Sequence, residues 1–342
     1  MRCLVAGGTG FLGGAIANTL VDAGHDVAVL TRGTSINRIP KGAKLVSADR
    51  HNDLSAVVPD AFDWVFDSCA YAPDHVEKLL DAVGPNIKRY VFISSISVYE
   101  NFNQKGITEA EKAPAATDEQ IEMARNLDDA QKGSAGSYMS AYGPLKRSCE
   151  IKAEEMLGDR ATSLRVGSLI GKGDYTDRFT WWVRRIEEAK GERQQIVAPA
   201  PSNRAVQTID VYDVADFALQ CADKKIGGSF NVTGREITLN ELINQIAKAT
   251  GTKPEVKWRK EDDFSSVGAA MWTSVPLALP LESNFKHMLE VSIDKAVAKG
   301  LRLRPLSETL EPLLAWDRSR REIALKCGLT PSQEKQLLEI TD

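Results

Sequence analysis

The chain has 342 residues, a formal net charge of −4 and five cysteines. That length buries a large core, as one domain or as one domain with a lobe. The charge balance and the lack of a Lys/Arg block argue against a nucleic-acid surface, which needs clustered basic groups. Cys3, Cys69, Cys149, Cys221 and Cys327 are scattered and odd in number, with no CxxC spacing. They read as reduced thiols rather than a disulfide framework or zinc site.

His25, His51, His75 and His287 lack metal-ligand spacing, so no metal is expected. A strand starting at Arg2 leaves no room for a signal peptide, and no apolar run nears the roughly 20 residues of a membrane helix. The expectation is a soluble, cytoplasmic protein without a membrane partner.

Residues 2–6 read as a buried strand. Residues 11–23 follow with apolar side chains at helical spacing, Leu12, Ile16, Leu20 and Val21, and Gly24 ends that helix. Further strands are expected at 26–31, 44–48, 64–69 and 89–94, with a helix around 74–83. Strands alternating with helices imply a doubly wound parallel sheet, the Rossmann arrangement.

Residues 101–136 break this rhythm. They are polar, acidic in the middle and too long for a routine connection. They read as a mobile flap over the cleft, partly helical near 118–127, or else as a surface insertion. A helix resumes through Lys146 to Leu157, and 161–166 is a sixth strand. Beyond it, 181–189, 214–221 and 239–250 read as helices and 207–211 and 230–232 as strands. The remainder reads as helical with joints at Pro276, Pro280, Pro305 and Pro312. The expected organisation is α/β. Residues 1–166 are expected to form the Rossmann domain, with the flap at 101–136. Residues 167–342 form mainly a smaller C-terminal substrate-binding lobe, with segments near 207–222 returning to the first domain.

Gly7, Gly10 and Gly13 sit between the first strand and helix. Glycines there permit a tight turn and close approach of backbone to a pyrophosphate. The helix N-terminus offers free N–H groups and a positive dipole end. Thr9, Phe11 and Leu12 share that turn and join the cofactor-binding set. The second strand ends in Thr31-Arg32, where NAD-binding folds carry an acid for the ribose hydroxyls. Arg32 suits the 2′-phosphate of NADP instead, although a solvated loop arginine is the alternative. Asp49 is the candidate for the adenine amino group. Ala70 and Tyr71 are expected along the nicotinamide side.

Tyr142 and Lys146 are four residues apart and share a helix face. A free tyrosine has a pKa of about 10, and a nearby ammonium favours the phenolate. Ser95, at the end of the fifth strand, is placed to hydrogen-bond a substrate oxygen. Pro144 requires Tyr142 to lie near a helix start or a bend.

The strand–GGTGFLGG–helix unit, Ser94-Ser95-Ile96-Ser97-Val98-Tyr99 and Tyr142-Gly143-Pro144-Leu145-Lys146 together resemble the extended short-chain dehydrogenase/reductase family, the NAD(P)-dependent epimerase/dehydratase group. The likeness runs over most of the chain. It places the family's catalytic Ser, Tyr and Lys on Ser95, Tyr142 and Lys146, with the last two also touching the cofactor, and implies a homodimer. The chain departs where sugar-nucleotide members carry an asparagine after Leu-Arg, reading Val166-Gly167-Ser168. It also lacks their diphosphate-binding arginine in register, although Arg204 is close.

Ser97, Tyr99, Arg178, Trp181 and Trp182 are the substrate candidates, with Arg178 as an anion anchor and a tryptophan as an apolar wall. At least one of that pair is expected in the core, as are Trp272 and Trp316. The leading expectation is an NADP-dependent oxidoreductase that interconverts a carbonyl and an alcohol on a small metabolite, with NAD as the other cofactor possibility. The alternatives are an epimerase or dehydratase with a transient keto intermediate, and a non-catalytic nucleotide-sensing or RNA-binding relative.

Overall fold

The computed structural model describes residues 1–33, 38–128, 131–190 and 194–341. The strands are β1 (Arg2–Ala6), β2 (Asp26–Thr31), β3 (Lys44–Ser47), β4 (Trp64–Asp67), β5 (Arg89–Ser95), β6 (Ala161–Val166), β7 (Ser168–Ile170), β8 (Gln195–Pro199), β9 (Ala205–Val206), β10 (Thr208–Asp210), β11 (Gly228–Val232), β12 (Ile237–Thr238) and β13 (Glu255–Arg259). The helices are α1 (Phe11–Asp22), α2 (Pro73–Val83), α3 (Asp118–Arg125), α4 (Tyr142–Leu157), α5 (Arg178–Glu187), α6 (Val211–Asp223), α7 (Leu239–Thr250), α8 (Glu261–Ser266), α9 (Asp294–Ala298), α10 (Leu306–Arg318) and α11 (Pro331–Glu339).

Seven strands form one sheet in the order β11-β6-β5-β4-β1-β2-β3, and every pairing is parallel. β1, β4 and β5 are apolar on both faces because helices cover both sides. α1 and α6 pack on one face, α2 and α4 on the other. Strand order reverses between β1 and β4, which opens the crevice where such sheets hold ligands.

A second core gathers α5, α7, α10 and α11 around the β8–β13 pair. No element is expected from the sequence at 195–199, and 255–259 falls in a stretch expected to be helical. QIVAP shows no alternation and EVKWR alternates over only five residues, and the two strands pair with each other inside the second core. Much of 267–293 is irregular rather than helical.

Residues 101–136 are tied down at their start. Phe102 and Gly106 donate backbone hydrogen bonds to Asn284 and Glu290, and Ser292 donates to Ile107. α3 starts with a capping box between Thr117 and Gln120. The end of the segment reaches the cleft described below.

A buried polar network ties β5, β6, β11 and this segment to α4. Glu150 accepts from Arg165 at 2.8 and 3.0 Å and from Ser94 Oγ at 2.5 Å. Arg165 also donates to the Tyr99 hydroxyl, which donates to Asn231 at 2.6 Å. Removing one partner of such a pair strands the other charge in the interior. Arg165→Leu is expected to cost about 3 kcal/mol of unfolding free energy, whereas the Arg165→Leu/Glu150→Leu double variant costs less than the single one. Urea denaturation midpoints check this.

Candidate active site

The glycine turn leaves β1 and enters α1 at the strand-order reversal. Gly7 has φ +78°, the left-handed region. A Cβ on Gly13 would stand 2.2 Å from the Gly7 carbonyl oxygen and 2.6 Å from Ser68 Oγ, so no side chain fits there. Gly10 is the N-cap of α1 and supplies no side-chain cap. The first-turn N–H groups therefore face an open cavity of about 450 Å³, lined here by Gly7, Thr9, Gly10, Phe11, Leu12 and Gly13. This arrangement fits a dinucleotide pyrophosphate.

At one end of the cavity lie Arg32, Asp49, Arg50, His51, Lys132 and Gly133. Arg32 and Asp49 thus border the cavity together. Lys132 was not foreseen, because it comes from the end of the 101–136 segment. Beneath them Arg50 forms a two-pronged pair with Asp67, both contacts at 2.7 Å, and donates to Cys69 Sγ and the His75 carbonyl. Tyr90 donates to the same carboxylate. Burial works to raise Asp67, but Arg50 outweighs it and holds the carboxyl low.

At the other end, β5 delivers Ser95. Its Oγ accepts from Ser97 N–H and donates to Ser97 Oγ, both at 3.1 Å. α4 begins at Tyr142, with Pro144 in its first turn, as its ring requires. A Cβ on Gly143 would lie 1.9 Å from the Ser97 carbonyl oxygen. Glycine therefore lets the helix start touch the turn after β5, which brings Tyr142 to Ser95. Lys146, one turn on, is buried and donates to the Ala70 and Ile93 carbonyls, both at 2.8 Å. Its Nζ also sits 4.7 Å from the Tyr71 ring centre. Ala70 thus contributes its carbonyl as the anchor of Lys146, while Tyr71 lines the cavity.

Burial pushes the Tyr142 phenol up to about 12, against a smaller opposing effect of the Ser95 hydrogen bond. Burial likewise lowers Lys146.

A second cavity of about 620 Å³ meets the first at Ser95, Tyr142, Val166, Gly167 and Tyr175. Ser97 and Arg178 line it, as expected. Three substrate candidates do not. Tyr99 is buried in the Arg165–Asn231 network. Trp181 and Trp182 are buried in the second core, with the Trp182 indole donating to the Pro276 carbonyl at 2.7 Å. On α5, Arg178 falls on the cavity side and the tryptophans on the core side, a phase that residue type alone does not reveal. The reverse error concerns Trp272, which was assigned to the core but lines the cavity, with the Arg178 guanidinium 5.1 Å from its ring centre. Among the described residues, no group of His, Cys, Asp or Glu is arranged to hold a metal. No described helix is long and apolar enough to cross a membrane.

Residues 3–85 match the model of the NAD dependent epimerase/dehydratase family. The family matched is the one that the motifs resemble. The matched stretch holds the glycine turn, Arg32, Asp49 and Ala70. A curated relative, the chloroplast stem-loop binding protein of 41 kDa b of Arabidopsis thaliana, is 23% identical over 325 residues, covering 88% of this chain and 77% of the relative. The fold is that of a putative epimerase from Burkholderia cenocepacia, with a TM-score of 0.66 at 20% identity over 93% of this chain and 98% of that one. It is also that of the UDP-glucuronic acid 4-epimerase from Bacillus cereus solved with NAD, with a TM-score of 0.65 at 14% identity, covering 96% and 100%.

His75 is buried beside Arg50, and its Nδ1 accepts the Tyr71 N–H at 3.3 Å. Burial first, then Arg50, pushes its pKa down to about 2. Below the ordinary value of about 6.5 the unfolded chain takes up a proton that the folded one refuses. Stability is thus expected to fall as pH drops from about 6.5, by about 1.4 kcal/mol per unit for this group. Denaturation midpoints for the wild type and His75→Leu across pH 4–8 check the slope, which the variant should flatten.

Proposed function

We propose that this chain is an NADP-dependent oxidoreductase that interconverts a carbonyl and an alcohol on a small molecule. The observation that carries this reading is the position of Ser95 and Tyr142 at the junction of the two cavities, with Lys146 beneath. The glycine turn would hold the pyrophosphate. Arg32 and Lys132 would face the 2′-phosphate, since the second strand ends without an acid. When bound, the nicotinamide supplies or accepts the hydride.

The chain's own groups do the rest. Ser95 Oγ holds the carbonyl oxygen. The Tyr142 phenol, protonated at neutral pH, gives that oxygen its proton, which suits the reducing direction. Lys146 has three N–H donors and spends two on the Ala70 and Ile93 carbonyls, which leaves the third for the nicotinamide ribose.

A second reading is epimerisation through a transient ketone. It uses the same three side chains, and the matched family and several UDP-sugar epimerases that share this fold support it. RNA binding is supported only by the name of the Arabidopsis relative. The net charge of −4 weighs against it.

Titration with NADPH and NADH, followed by fluorescence, tests the cofactor. Selective, exchangeable NADPH binding is expected, whereas stoichiometric cofactor that survives purification would favour the epimerase. Arg32→Asp should weaken NADPH roughly 10- to 100-fold and NADH far less, as loss of a charged hydrogen bond predicts. An unchanged preference would remove Arg32 from the site. Tyr142→Phe should keep cofactor binding and lower turnover at least ~100-fold. Full activity in that variant would end the proposed mechanism.

A further inference from the structure

The second cavity is apolar over most of its wall. Ile96, Ile170, Phe179, Met271, Leu277 and Met288 line it together with Trp272. Its rim exposes large apolar groups as well: Met139 is 81% exposed, Tyr175 62% and Phe285 53%. Water-facing apolar side chains around a concave apolar wall mark a surface that an apolar ligand covers.

The backbone singles out the same place. Among the described residues, six non-glycine residues have left-handed φ, and Met139 (φ +47°), Trp272 (φ +70°) and Leu277 (φ +63°) are three of them. Each such residue costs of order 1–3 kcal/mol, and strain of this kind gathers where a ligand is gripped.

Charge points the same way. A nucleoside diphosphate brings two negative charges and needs unspent cations. Arg178 is the arginine on this wall, stacked over Trp272. Asp174 lies on the same wall, and burial, the largest influence, pushes its carboxyl above the usual range against a smaller lowering by Arg178. Asp174 Oδ2 has no hydrogen-bond partner. Arg204, the nearest candidate for a diphosphate, is buried and committed elsewhere. It donates to the Ala200 and Leu279 carbonyls and pairs with Glu261 at 2.7 Å.

We infer that the second cavity takes an uncharged carbonyl compound with an aromatic body, which lies along Trp272 with its carbonyl at Ser95 and Tyr142, and that it does not take a nucleoside diphosphate sugar. Asp174 Oδ2 and the Arg178 guanidinium form a polar end that suits a hydroxyl substituent.

This inference rests on the carbonyl–alcohol reading, but its test separates the two. Binding of 2-acetonaphthone and of UDP-glucose is measured by calorimetry on the full chain, with and without saturating NADP. NADPH oxidation with 2-naphthaldehyde is measured separately. The naphthyl ketone should bind at least ~10-fold more tightly than UDP-glucose, a margin of about 1.4 kcal/mol. Trp272→Leu should weaken the ketone roughly 3- to 10-fold, as loss of an aromatic pair predicts, while Trp272→Phe keeps most of the affinity and controls for folding. Tighter binding of UDP-glucose, or no binding of the ketone, overturns the inference. Ketone binding without any oxidation of NADPH by the aldehyde upholds it and overturns the reductase.

Discussion

The active-site geometry hangs on one contact, the seating of Gly143 against the Ser97 carbonyl. A strand end and a helix start normally keep a side chain between them. Here the backbones touch, and any Cβ would overlap the Ser97 carbonyl. That contact sets Tyr142 beside Ser95 and, one turn later, aims Lys146 at the carbonyls of Ala70 and Ile93. A further turn along α4, Glu150 grips Arg165 of β6 and Ser94 of β5. Tyr142, Lys146 and the Glu150 half of the buried ion pair thus lie on one helix, pressed against the sheet at both levels.

Two buried arginine–carboxylate pairs bracket this region, Arg165–Glu150 and Arg50–Asp67. Each is completed by a tyrosine hydroxyl, Tyr99 in the first and Tyr90 in the second. Such pairs add little net stability over a well-packed apolar core, but they tolerate no partial loss. They fix the directions in which β4, β5 and β6 present their C-terminal ends to the cleft.

The sheet was legible because buried parallel strands are short apolar runs, and β1, β2, β4, β5 and β6 follow that pattern closely. The glycine turn, Ser95, Tyr142 and Lys146 were legible because their chemistry depends on local spacing. The substrate wall was not. Trp181 and Trp182 differ from Arg178 only by their phase on α5, and Trp272 reaches the cavity from an irregular stretch with no period to read. Tyr99 looked like a neighbour of Ser97 in sequence, yet it turns inward to serve Arg165. Lys132 arrives from a segment whose path depends on its docking against residues 284–292.

Phe11 belongs to the glycine turn, yet its ring also borders the second cavity and lies 3.8 Å from where a Cβ on Gly171 or Gly173 would stand. One side chain therefore forms part of both the cofactor cradle and the far wall. The two recognition surfaces cannot drift independently in evolution. A change of dinucleotide preference that reshapes this turn carries a change of substrate range with it.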